Sequence, residues 1–149
     1  MEVFKSMVGE VQAKYVTKDR PKVKISCSDD SVEELRKTID PEQIEHREFF
    51  TVLFLNRSNN TLGWSQISSG GISGTACDPK IIFQLALLAN ASAIILCHNH
   101  PSGNIYPSKA DDDITKKLVE VGKALELTVL DHIILTKDNY YSYANEGRI

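Results

Sequence analysis

The chain has 149 residues, 42% of them apolar and 25% charged, a composition that suits one soluble globular domain with a single core. Its formal charge of −3 argues against a strongly basic nucleic-acid binder, because the overall balance does not supply the phosphate neutralisation such binding depends on. Cys27, Cys77 and Cys97 are far apart and form no C-x-x-C, which speaks against a disulfide framework or a cysteine zinc knot and fits a reducing cytoplasm. The N-terminal "MEVFKSMVGEVQAKYV" has no secretory apolar core, and no apolar run approaches the roughly 18 residues that span a bilayer.

Residues 1–22 read as an N-terminal extension or an edge strand centred on "GEVQAKYV". Lys14, Lys18, Arg20, Lys22 and Lys24 form the only basic clustering, which a solvated lysine-rich edge explains as well as a DNA contact does. In "PKVKISC", Val23 and Ile25 alternate with lysines as in a half-buried strand. "SDDSVEELRKTI" follows as a short amphipathic helix, with Asp30 or Ser31 as N-cap and Val32, Leu35 and Ile39 at helical spacing.

"EFFTVLFLN" and "TLGWSQIS", joined by "RSNN", predict a β-hairpin over 48–68, and "SSGGISGT" a glycine-rich loop. Asp78 before Pro79 starts a helix, "PKIIFQLALLAN", whose apolar residues on most faces predict full burial. "SAIILC" suits a central strand ending at His98. A helix is expected from about Lys109 to Glu126, and then "TVLDHIIL" as a strand in a hairpin with "YYSYA". The order β-α-β-β-α-β-α-β-β implies an α/β fold, a three-layer α/β/α arrangement around a mixed central sheet. One domain over 1–149 is expected, without repeat or linker.

"HNHPSGNIYPSKADDD", residues 98–113, carries the candidate chemistry. Two apart at a strand end, His98 and His100 point to one side, while Cys97 and Asn99 point to the other. On a helical wheel of about 100° per residue, Asp111 shares a sector with Ile114, Leu118, Val121 and Leu125, whereas Asp112 and Asp113 turn towards solvent. Two histidines and an inward carboxylate make a three-ligand set for Zn²⁺ with one position open, the catalytic rather than the structural type. The competing explanation is a capping box between Ser108 and Asp111, with first-turn acids suiting the helix dipole. Glu48, sharing parity with Phe50, Val52 and Phe54, is the candidate proton shuttle. Ser108 is a candidate oxyanion donor unless it is consumed as the helix cap.

This pattern, an upstream glutamate with His98-x-His100, Ser108 and Asp111 at their spacing, resembles the JAMM (MPN+) metalloprotease motif. With "HNHPSG", "PS..D" and "LDHIIL" in order, it resembles more narrowly the RadC-like subgroup over roughly residues 23–149. The resemblance implies a JAMM/MPN, cytidine-deaminase-like fold, one zinc per chain on His98, His100 and Asp111, Glu48 as general acid/base and Ser108 as oxyanion stabiliser. It implies a zinc-dependent hydrolase, a metallopeptidase or isopeptidase with a peptide or protein substrate. The DNA-repair label and helix-hairpin-helix region of many RadC-like proteins find no support in the charge or in the residues preceding Glu48.

The competing function is a non-enzymatic or DNA-repair-associated binding module with a structural metal. A zinc nucleobase deaminase would need H-x-E and P-C-x-x-C, which are missing. Exposed sheet edges permit a homodimer without requiring one. Asp131 and His132 point to opposite faces of their strand, and His132 reads as a buried, hydrogen-bonded histidine ahead of a partner to a metal ligand.

Overall fold

The computed structural model describes residues 7–12, 14–15, 21–70 and 77–149. Its elements are α1 (Ser28–Arg36), β1 (Phe49–Leu55), β2 (Thr61–Ser69), α2 (Pro79–Leu88), β3 (Ala93–Asn99), α3 (Lys109–Ala124), β4 (Thr128–Leu135) and β5 (Tyr140–Ser142). The strands form one mixed sheet in the order β2-β1-β3-β4-β5, with β3 and β4 parallel and every other neighbouring pair antiparallel.

The sheet separates two apolar layers, so the expected α/β/α arrangement holds. Val32 and Leu35 of α1 pack with Leu53, Ile95, Cys97 and Ile133 on one face. Ile82, Phe83 and Ala86 of α2 and Leu118 of α3 pack with Val52, Phe54, Ile94 and Leu96 on the other. All seven residues of β1 and of β3 are buried, because both strands are covered on both faces. No helix among the described residues is long and apolar enough to cross a membrane.

Several local expectations need correction. Residues 9–12, 14 and 15 form no strand, and Ala13, Val16, Lys18 and Arg20 lie outside the described residues, as does 71–76 of the glycine-rich loop. Val23–Ile25 is not a strand either. It makes a single bridge, Lys24 to Asn60, with Ile25 N–H donating to Asn59 O and Thr61 N–H to Val23 O, both at 2.9 Å. Pro21, without an N–H, cannot carry that ladder further. Helix α1 starts at Ser28 with Cys27 as N-cap, ahead of the expected Asp30 or Ser31. Asp30 caps from within the first turn, its carboxylate accepting the N–H groups of Ser26 and Cys27 at 2.8 and 3.3 Å.

Asp78 caps α2 as expected, accepting from Lys80 N–H at 2.9 Å. The helix is covered on one side only, however, leaving Ile81 42% and Leu87 53% exposed. Helix α3 stops before Glu126. Glu126 takes a left-handed φ of +56°, and Leu127 N–H returns to Gly122 O at 2.8 Å, which closes the helix with a Schellman turn and turns Leu125 outward. Leu125 is therefore not part of the inward sector that Leu118 anchors.

Candidate metal centre

The parallel pairing of β3 with β4 carries the site. His98 ends the apolar run inside β3, opposite Phe50 on β1 and Ile134 on β4, and is 1% exposed. His100 lies one residue beyond the strand, yet its N–H still donates to Leu135 O at 2.9 Å, so the extended geometry persists and both imidazoles emerge on one side. Gly103, at φ +84°, then reverses the loop, which lets the Asn104 carbonyl approach His100 Nδ1 at 2.6 Å. A carbonyl can only accept, so His100 carries a proton on Nδ1, and neutral His100 has a bare Nε2.

Helix α3 brings the acid. Ser108 Oγ accepts from Asp111 N–H at 3.1 Å, and Asp111 Oδ2 accepts from Ser108 N–H at 2.8 Å, a reciprocal capping box. The same carboxylate faces the histidines, with Oδ1 3.2 Å from His98 Nε2 and Oδ2 3.2 Å from His100 Nε2. The capping and metal-facing explanations of Asp111 are thus both fulfilled by one side chain. The Ser108 cap uses an oxygen lone pair, so the hydroxyl proton stays available to donate.

Glu48, just before β1, is buried and places Oε1 3.6 Å from His98 Nε2. Its strand parity turns it to the same face as Phe50 and His98. Burial pushes its carboxyl above the usual range, more strongly than the two histidines pull it down. Burial would raise Asp111 as well, but hydrogen bonds with His100 and His98 hold it far below the usual carboxylate range. For His100, burial is outweighed by the bonds to Asp111 and Asn104, and its pKa rises.

Glu48, His98, His100 and Asp111 each contribute an atom to a set lying within 4.8 Å. His98 Nε2 and His100 Nε2 are 2.9 Å apart. An ion with tetrahedral ligands at about 2.0–2.1 Å requires ligand atoms about 3.3 Å from one another, close to the separations among the two histidines and Asp111. The Asp111 carboxylate and neutral His100 Nε2 have no proton to offer one another, so a cation satisfies them better than any hydrogen-bond pattern among themselves. The residues present fit a metal ion.

The four residues singled out in the sequence lie together in the structure, while other contacts around them are not evident from the sequence. Asn99 is completely buried on the opposite face. Its Nδ2 donates to the carbonyls of Ile44 and Arg47, and its Oδ1 accepts from Phe49 N–H. His132 is the buried, hydrogen-bonded histidine expected, and one of its partners is His98, with Nε2 2.8 Å from His98 Nδ1. Its other partner, Thr115, lies four residues after Asp111 and hence on the same helix face. Asp112 is partly exposed, as expected, and also has partners. It accepts from the Tyr143 hydroxyl at 2.7 Å and pairs with Arg148 at 2.8 Å.

The sequence model of one protein family, described as a RadC-like JAB domain, matches residues 25–148. A UPF0758 protein of Flavobacterium johnsoniae is 45% identical over 124 residues, which is 83% of this chain and 53% of the relative. A UPF0758 protein of Syntrophomonas wolfei is 34% identical over 151 residues, 100% of this chain and 60% of the relative. One of Methanococcoides burtonii is 38% identical over 132 residues, 88% and 56% of the two chains. The chain therefore spans a little over half the length of these curated relatives.

Proposed function

This chain belongs to the RadC-like JAB domain family, and on that premise we propose that it is a zinc-dependent hydrolase that cleaves an amide bond in a peptide or isopeptide. The observation that supports this best is the approach of His98 Nε2, His100 Nε2 and the Asp111 carboxylate to 2.9–3.2 Å of one another, beside the buried Glu48. His98, His100 and Asp111 would hold the ion, which supplies Lewis acidity for polarising a carbonyl and acidifying water.

The remaining steps fall to the chain's own groups. Glu48, with its raised pKa, accepts the proton of the attacking water and returns it to the leaving amine, a task suited to a carboxyl poised nearer neutrality. Ser108 donates its hydroxyl proton to the oxygen that becomes negative as the carbonyl is attacked, while its lone pair keeps α3 capped.

Metal analysis combined with a panel of peptide and isopeptide substrates tests the reading. Wild type should hold one zinc per chain, Asp111→Ala should lose it, and Glu48→Gln should keep it while losing turnover. A wild-type protein offered zinc that retains none would refute the metal, and full turnover by Glu48→Gln would refute the shuttle.

A further inference from the structure

We propose that His132 and Thr115 are positioning residues that force the proton of His98 onto Nδ1, and so hold its Nε2 bare towards the ligand cluster. The inference rests on the metal reading above for its consequence, but its geometry is independent of any ion.

A file of hydrogen bonds starts on the helix backbone and ends at His98. Thr115 Oγ1 lies 2.6 Å from Asp111 O and 2.6 Å from His132 Nδ1. Thr115 has one hydroxyl proton, and the Asp111 carbonyl can only accept. Pointing that proton at His132 instead would leave two oxygens 2.6 Å apart with nothing between them, so it goes to Asp111 O. Thr115 must then accept from His132, which puts the His132 proton on Nδ1 and leaves Nε2 bare. That nitrogen faces His98 Nδ1 at 2.8 Å and can only accept, so His98 carries its proton on Nδ1. In neutral His98, the form that binds a metal, Nε2 is then bare and faces His100 and Asp111.

Burial makes this ordering strict. His98 is 1%, His132 0% and Thr115 3% exposed, so water has little room to substitute for any member. No buried side-chain nitrogen or oxygen among the described residues lacks a partner, and these three satisfy one another in a single direction. The rings of Phe50 and Tyr143, at 5.7 and 5.0 Å from that of His132, hold it in place. The far end of the file is the backbone of Asp111, so the residue that offers its carboxylate to the cluster also fixes, through two other side chains, the tautomer of His98.

Reversing the file has a definite effect. In Thr115→Val, of nearly the same shape, the His132 Nδ1 proton loses its acceptor, Thr115 Oγ1. His132 then shifts its proton to Nε2, and His98 is driven to carry its own on Nε2, inside the cluster. Zinc affinity, measured by competition with a chromophoric chelator, should fall about 10- to 100-fold, as is usual when an outer hydrogen-bond partner of a metal-binding histidine is removed. Thr115→Ser restores the hydroxyl and should stay within about threefold of wild type, which mere packing would not predict, since Ser removes the methyl group and Val keeps it.

Nitrogen-15 NMR of the metal-free wild type reads the tautomers directly, with Nδ1–H expected on both His98 and His132. It decides the question even where Thr115→Val fails to fold or wild type binds no zinc, so the relay and the metal reading fail separately. A bare Nδ1 on His98 or an Nε2–H on His132 in the metal-free protein overturns the relay, as does unchanged zinc affinity in a folded Thr115→Val.

Discussion

The Asn99 side-chain oxygen accepts the Phe49 backbone N–H at 2.8 Å, tying the strand of the two histidines to the residue that follows Glu48. The Asn99 amide also donates to Ile44 O at 2.8 Å and to Arg47 O at 2.9 Å, so one side chain grips the backbone on both sides of Glu48. Asn99→Ala strands these groups in a buried setting. At about 1–3 kcal/mol for a buried group left without its partner, a total loss of about 2–5 kcal/mol in denaturant unfolding is expected after partial relaxation. Zinc content should follow His98, His100 and Asp111 and remain at one per chain. A loss below about 1 kcal/mol would show that the clamp is not holding Glu48 in place.

Metal should also be visible as stability. A ligand bound only by the folded state at about 100 times its Kd adds about 2.7 kcal/mol. For a chain of this size that corresponds to a Tm increase of roughly 5–10 °C. The comparison is made in each protein with zinc against chelator. The increment should appear in wild type and vanish in His98→Ala and Asp111→Ala, whatever their starting stability. His98→Ala empties a buried site and leaves His132 Nε2 without its partner, so its metal-free Tm should fall below that of Asp111→Ala, which loses half of the Ser108 capping box.

Most of the fold and the four clustered residues were legible because they depend on periodicity. Strand parity puts His98, His100 and Glu48 on one face, helical phase turns Asp111 inward, and the apolar runs of β1 and β3 announce strands covered on both sides. What was not legible depends on who lies opposite. Pro21 limits the pairing of "PKVKISC", but nothing in that stretch names Asn60 as its one bridge partner, and nothing in "PKIIFQLALLAN" says that Ile81 and Leu87 face outward. Asn99 and His132 were assigned the correct faces. Their roles rest on neighbours 55 and 34 residues away in sequence, which strand parity cannot reveal.

Asp131 gives the stability a pH dependence whose sign follows from its surroundings. Burial raises its pKa above the ordinary 3.8, against the opposing pull of hydrogen bonds from the Ser142 hydroxyl, Ala144 N–H and His132 N–H. The folded protein thus binds this proton more tightly than the unfolded chain does. The resulting contribution is fully present below the unfolded value and is lost as pH rises through the higher folded value. Asp131→Asn has no such proton. The stability of wild type relative to Asp131→Asn should therefore increase on acidification from pH 7 towards 4, as measured by denaturant unfolding at matched ionic strength. A difference independent of pH across that window, or one that moves the other way, contradicts the assignment.

The turn that closes α3 should respond with opposite signs to two substitutions four residues apart. A Cβ built on Gly122 would lie 2.3 Å from Leu127 O, a backbone atom that cannot swing aside, because Leu127 N–H is bonded to Gly122 O. Gly122→Ala must push the end of the helix off the start of β4, and a loss of about 1–3 kcal/mol is expected, as for other overpacked sites. Glu126 occupies the left-handed position of the same turn at φ +56°, where glycine has no steric penalty. Its side chain is exposed. Glu126→Gly should relieve that penalty of about 1 kcal/mol, offset in part by the greater freedom glycine gives the unfolded chain. The net result is a small rise in Tm, and a fall would mean that the Glu126 side chain holds the turn through contacts of its own.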